Sequence, residues 1–261
     1  MSDPQGPGGM RRRDGLDRPL IRRFYREVTV EAAPRKGDPA FRVLLDRRPV
    51  RTPKKTFLEV PTRALADALA DEWRAQGERI DPQTMPLTKL ANTVIDGVVG
   101  REAEVSGDIL KYAATDLLCY RAEAPPELVE RQAAAWDPLL AWAADALKAP
   151  LLTAAGILPV EQPRPALEAI AAALQGSDAF RLAALHVMTT LMGSVVLALA
   201  HDLGALSAER AWSLAHLDED FQIAKWGEDA EAKARRAYRW REMQAASSLI
   251  HLLRTSDRQS D

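Results

Sequence analysis

The chain of 261 residues is 47% hydrophobic and 28% charged, with a formal net charge of −2. That profile suits a soluble protein with ample core material, in one large domain or two smaller ones, and it offers no global basic field for nucleic acid. The single cysteine, Cys119, excludes an intrachain disulfide or a cysteine-based zinc site, and its apolar setting in LLCYR reads as a buried, inert thiol.

Residues 1–20 are rich in Gly, Pro, Arg and Asp and include Arg11-Arg12-Arg13. They lack the apolar stretch of a secretory signal and the Ser-rich, acid-poor character of a transit peptide, so they read as a disordered tail. From Phe24 to Val60 the pattern has period two. Val28, Val30 and Ala32 alternate with Thr29 and Glu31, and Phe41, Val43 and Leu45 alternate with Arg42 and Leu44. A polar turn at Asp46-Arg47-Arg48-Pro49 and a closing run Phe57-Leu58-Glu59-Val60 complete a set of hairpin strands. These residues, 21–62, predict a small antiparallel sheet too thin to stand without helices.

Everything after Pro61 reads as helical, giving an α+β chain: a small β-rich N-terminal domain, then a larger helical bundle over residues 63–254 and a frayed end over 255–261. Thr62 is a candidate N-cap, and Leu65, Leu69 and Trp73 share one face. Trp73 is therefore assigned to folding. Further helices are expected over Leu87–Val99, Arg101–Asp116, Pro126–Lys148 and Pro165–Leu174. Asp178–Leu203, Ser207–Trp226 and Glu228–Arg254 are each expected as one continuous helix.

The stretch LAALHVMTTLMGSVVLALA, residues 182–200, is long and apolar enough to raise the question of a membrane span. Its centre holds His186, Thr189, Thr190, Gly193 and Ser194, and its flanks carry neither a basic excess nor an aromatic belt. It reads instead as the central helix of a bundle. Thr189, Gly193, Val196 and Ala200 would give that helix a small-residue face for close packing.

No phosphate-binding loop, nucleophile elbow, zincin motif or dinucleotide fingerprint occurs. The four histidines, His186, His201, His216 and His251, lack metal-ligand spacing. No catalytic, cofactor or metal residue is assigned. An enzyme with a scattered site near His201 and Asp202 stays open as the alternative. The basic residues Arg235, Arg236, Arg239 and Arg241, with Glu231 and Glu242 on either side, read as solvated or structural.

The most suggestive polar stretch is HLDEDFQIAKWGED, His216 to Asp229. On a helical wheel Leu214, Leu217, Phe221 and Ala224 share a face, Glu219 points nearly opposite, and Asp218 and Asp220 flank the apolar stripe. Spacing alone describes a solvated helix face. The functional reading is a docking surface, in which carboxylates orient a partner and apolar neighbours supply binding energy. Trp226, beside Gly227, either packs against the next helix or joins that surface, and packing is the favoured reading.

Taken in order, RFYREVTV, LLDRRPVRTPKKTFLEVP, LADALADEW, MPLTKLANTVIDGV, ILKYAATDLLCYRA, WDPLLAW, GSVVLALA and LDEDFQIAKWG resemble the Atp12 family, assembly chaperones for the F1 sector of ATP synthase. The resemblance spans about Arg23 to Leu253. It implies the same α+β architecture, no catalysis, and binding to the unassembled F1 α subunit at the surface that later meets β. It ties function to an acid matching Asp218 or Glu219, within a partner-binding segment of Asp218, Glu219, Asp220, Phe221 and Gln222. Trp73, Gly193 and Trp226 are left as structural. A monomer is the default expectation, and the lack of a transit-like leader places the protein in a bacterial cytoplasm, with eukaryotic relatives expected in the mitochondrial matrix. One departure stands out: the family pattern has Gly where Arg47 stands. Arg47 adopts positive φ only at a cost, so a turn of different type is expected there.

Overall fold

The structure, a computed structural model, describes residues 19–34, 39–156 and 158–254. The expected tail and frayed end lie outside these residues, apart from residues 19 and 20. Four short antiparallel strands come first: β1 (Val28–Ala32), β2 (Phe41–Leu45), β3 (Arg48–Pro49) and β4 (Glu59–Val60). β2 is central, with Val30 opposite Val43 and Arg42 opposite Glu59. The chain is α+β, since the remaining elements are almost all helices.

The β2–β3 turn departs from expectation. Asp46 and Arg47 both adopt left-handed φ, 47° and 65°, the geometry that a two-residue hairpin requires to match strand twist. The Asp46 carboxylate offsets the strain by accepting from Arg26 N at 3.0 Å and Glu27 N at 2.9 Å. The Glu27 and Arg26 N–H groups hold its pKa below the ordinary carboxylate value. Arg47 thus occupies the conformation the sequence argued against, because its neighbour pins the turn.

Helix α1 (Arg63–Arg74) packs across β1 and β2. Thr62 caps it, accepting from Leu65 N at 3.1 Å, and its hydroxyl donates to Leu252 O at 3.0 Å near the far end of the chain. α2 (Pro86–Thr93) runs into a π-helical turn over Val94–Val98, and α3 (Glu102–Ala114) follows. A 3-10 turn, Leu117–Cys119, leads into β5 (Tyr120–Arg121), which pairs in parallel with β6 (Ala154–Ala155) across α4 (Pro126–Ala146). Cys119 is fully buried, and burial, the main cause, pushes its thiol up to about 12.

α5 (Arg164–Leu174) precedes the apolar run, which is two helices rather than one: α6 (Ala179–Met192) and α7 (Val195–Asp202). Gly193 ends α6 at φ 68° and Ser194 caps α7 by accepting from Leu197 N. Gly193 is therefore a helix terminator and not part of a continuous small-residue face. Nearly every side chain of α7 is buried. Among the described residues no helix is long and apolar enough to cross a membrane.

The next expected helix is also divided, into α8 (Ala208–Ala215) and α9 (Leu217–Trp226), with α10 (Ala230–Arg254) closing the chain against α6. One connected apolar cluster runs from Tyr25 and Val28 through the α6–α7 pair to Ile250.

Candidate partner-binding surface

The break between α8 and α9 sets the direction of α9. His216 sits at the junction with φ −111° and ψ 20°. Its ring lies 3.9 Å from that of Trp212, and Nδ1–H donates to Trp212 O at 2.8 Å. Burial, the largest influence, pushes the His216 pKa below its ordinary value. The imidazole therefore stays neutral and apolar enough to close the corner.

Leu217 and Phe221 then anchor α9 in the core. Asp218, Glu219 and Asp220 occupy its first turn, where the positive end of the helix dipole favours carboxylates. The three acids have different tasks. Asp218 turns inward and accepts from Gln132 Nε2 at 2.7 Å; the buried Gln132 in turn accepts from Ala122 N at 2.8 Å. Asp220 pairs with the Arg236 guanidinium of α10. Glu219 lies 4.0 Å from the same guanidinium and keeps 41% of its side chain exposed.

Glu219 opens on a cleft of about 250 Å³ between α9 and α10, lined also by Gln222, Ile223, Trp226, Glu228 and Arg236. Trp226 is 77% exposed, so the packing expected of it does not occur. An indole left in water at the end of a helix, rimmed by Glu219 and Glu228, supplies the apolar area and orientation that a docking surface needs. Phe221 acts from beneath: Lys225 Nζ stands 4.6 Å over its ring and reaches Glu127 at 2.7 Å.

Of the five residues singled out in the sequence, Glu219 and Gln222 face the cleft, Asp220 holds its rim, and Asp218 and Phe221 fasten the helix. Tryptophans are highly buried on average, which favours packing for Trp226. The contrary signal was its setting among Lys225, Glu228 and Asp229.

Near the C-terminal end of α7, His201 and Asp202 do not converge on one point. His201 is held at both nitrogens, by Leu206 O and Ser247 Oγ, each at 2.9 Å. Asp202 is fully buried between Arg181 at 2.6 Å and Arg254 at 2.9 Å, tying α6, α7 and α10 together. Among the described residues no cluster of His, Cys, Asp or Glu could hold a metal ion.

The family model for ATP12 chaperone protein matches residues 22–144. The chain is 27% identical to protein atp12, mitochondrial, of Schizosaccharomyces pombe over 229 residues, 82% of this chain and 77% of that protein. Two crystal structures are closer in sequence. Atu1473 of Agrobacterium tumefaciens is 47% identical at a TM-score of 0.87, covering 92% of this chain and 88% of its own. Atp12 of Paracoccus denitrificans is 44% identical at a TM-score of 0.84, covering 90% of this chain and 99% of its own.

Proposed function

The chain belongs to the ATP12 chaperone family, and from that premise we propose that it binds the unassembled α subunit of F1 ATP synthase and shields its β-facing interface until F1 forms. An unassembled subunit exposes an apolar interface that aggregates when left bare. A chaperone for it needs a surface with apolar area and orienting charge that yields to the true partner. The observation that carries the reading is the exposed Trp226 beside the open carboxylate of Glu219. Of the two acids that match the family's functional position, we assign the client contact to Glu219, because Asp218 is consumed by Gln132. The protein acts as a monomer in the bacterial cytoplasm, where free α is made.

The test is co-purification of the tagged protein with free α and with assembled F1, side by side. Strong capture of free α and negligible capture of F1 is the expected result. Equal capture of both, or of neither, removes the proposal.

A further inference from the structure

A second cleft, of about 480 Å³, lies where the loop after β3 meets α1 and α2, and α9 contributes nothing to it. Its apolar walls are Pro53, Ile80, Pro82 and Met85. Three polar atoms of residues lining this cleft, Trp73 Nε1, Thr88 Oγ1 and Asn92 Oδ1, are buried without a hydrogen-bond partner among the described residues. Buried polar atoms are paired in the great majority of cases. Unpaired donors and acceptors on the residues of one cleft mark a place where a ligand can supply the complement of each.

The charges at the rim narrow the chemistry. Lys89 Nζ is paired with Glu242 at 2.8 Å and donates to Tyr238 OH at 3.2 Å. Asp96 accepts from Thr52 Oγ1 at 2.6 Å and from Lys54 N at 3.0 Å. Both charged side chains are thus already satisfied, and what remains open is neutral: the Trp73 N–H, the Asn92 C=O and the Thr88 hydroxyl. A peptide group offers the matching C=O and N–H. A neighbouring cleft of about 300 Å³ shares Pro82, Lys89 and Thr93 with it and reaches Val187 and Tyr238.

We propose that this groove binds a short extended segment of the client polypeptide, with an apolar side chain against Ile80 and Met85, its backbone carbonyl accepting from Trp73 Nε1 and its N–H donating to Asn92 Oδ1. The inference rests on the reading of the protein as a chaperone and gives it a second contact, separate from Glu219 and Trp226.

The test titrates the full, isotope-labelled chain with overlapping short peptides covering the F1 α subunit. The readout is the indole N–H resonance of Trp73, assigned by its disappearance in Trp73→Phe. At least one peptide with a central apolar residue is expected to shift that resonance. Asn92→Ala is expected to weaken its binding about tenfold, as loss of one hydrogen bond does, while the melting temperature holds. Peptide binding that leaves the Trp73 indole unmoved, or that Asn92→Ala leaves unchanged, overturns the groove alone. If no peptide binds while intact free α is still captured, the groove falls and the chaperone reading stands; if neither binds, both fall.

Discussion

Asp116 and Ser194, 78 residues apart in sequence, meet inside the core: the Ser194 hydroxyl donates to the Asp116 carboxylate at 3.0 Å. The same oxygen accepts from Val196 N at 3.1 Å, and the other accepts from Leu118 N at 3.0 Å. Leu117 N donates to Gly193 O at 3.0 Å, closing the junction. One buried carboxylate therefore caps the start of α7 and the 3-10 turn after α3. It satisfies backbone donors that a break in a central helix would otherwise leave bare in an apolar core.

That carboxylate titrates in an unusual range. Burial raises it from the ordinary 3.8 to about 6, against the lowering effect of the hydrogen bonds from Val196, Leu118 and Ser194. A raised acid holds its proton in the folded state where the unfolded chain has lost it. The resulting stability is present below the unfolded value and is lost as pH rises through about 6. Two pKa units correspond to roughly 3 kcal/mol. In Asp116→Asn this titration is gone, and the amide nitrogen faces backbone N–H groups. The variant is less stable throughout, and its deficit narrows as pH rises from ~4 to ~7. Urea unfolding across that interval checks the claim; a deficit independent of pH refutes it.

Gly193→Ala isolates the backbone cost at the same junction. An added Cβ would meet only Leu117 Cβ, at an ordinary 3.8 Å, so crowding is absent and the left-handed φ of 68° decides. The expected loss is about 1 kcal/mol, a fall in melting temperature of roughly 2–4 °C for a chain of this size. Unchanged thermal unfolding would show that α6 and α7 tolerate another junction.

Asp202→Ala removes the buried acid shared by Arg181 and Arg254. Both guanidinium groups keep some solvent access, so the expected destabilisation is roughly 3 kcal/mol, at the low end for a broken buried pair. Hydrogen exchange should accelerate at the last turn of α10, where Arg254 also donates to Asp202 O. Loss of client capture at unchanged stability would instead mark Asp202 as a contact residue.

Glu219→Lys and Trp226→Ala should separate binding from folding. Glu219 is 4.0 Å from its cation, and Trp226 is 77% exposed. Exposed pairs contribute about 0–1 kcal/mol, so each variant should unfold within a few degrees of the wild type. Capture of free α should fall at least about tenfold in each. A melting temperature depressed well beyond that would make these residues structural, and undiminished capture would move the contact elsewhere.

Where the signal was local, it could be read in the sequence. The alternation that predicted strands over Val28–Ala32 and Phe41–Leu45 is a property of the residues themselves, as is the capping by Thr62. Two helices expected as continuous are broken, at Gly193-Ser194 and at His216. Neither break was legible, because the groups that stabilise the first lie on another segment. The apolar run kept its helical periodicity across Gly193, while its missing hydrogen bonds are supplied by Asp116 and Leu117.

The acidic segment shows the same division. Sequence periodicity alone determined that Leu217 and Phe221 share the apolar face and that carboxylates lie beside and opposite it. Only the tertiary structure decided how the three acids differ, since Gln132 on α4 claims Asp218, Arg236 on α10 claims Asp220, and Glu219 is left to open on the cleft. The physical reason is reach. Helical phase and capping follow from residues within a turn of one another, whereas the fate of a charge depends on which cation or amide the fold brings within hydrogen-bond distance.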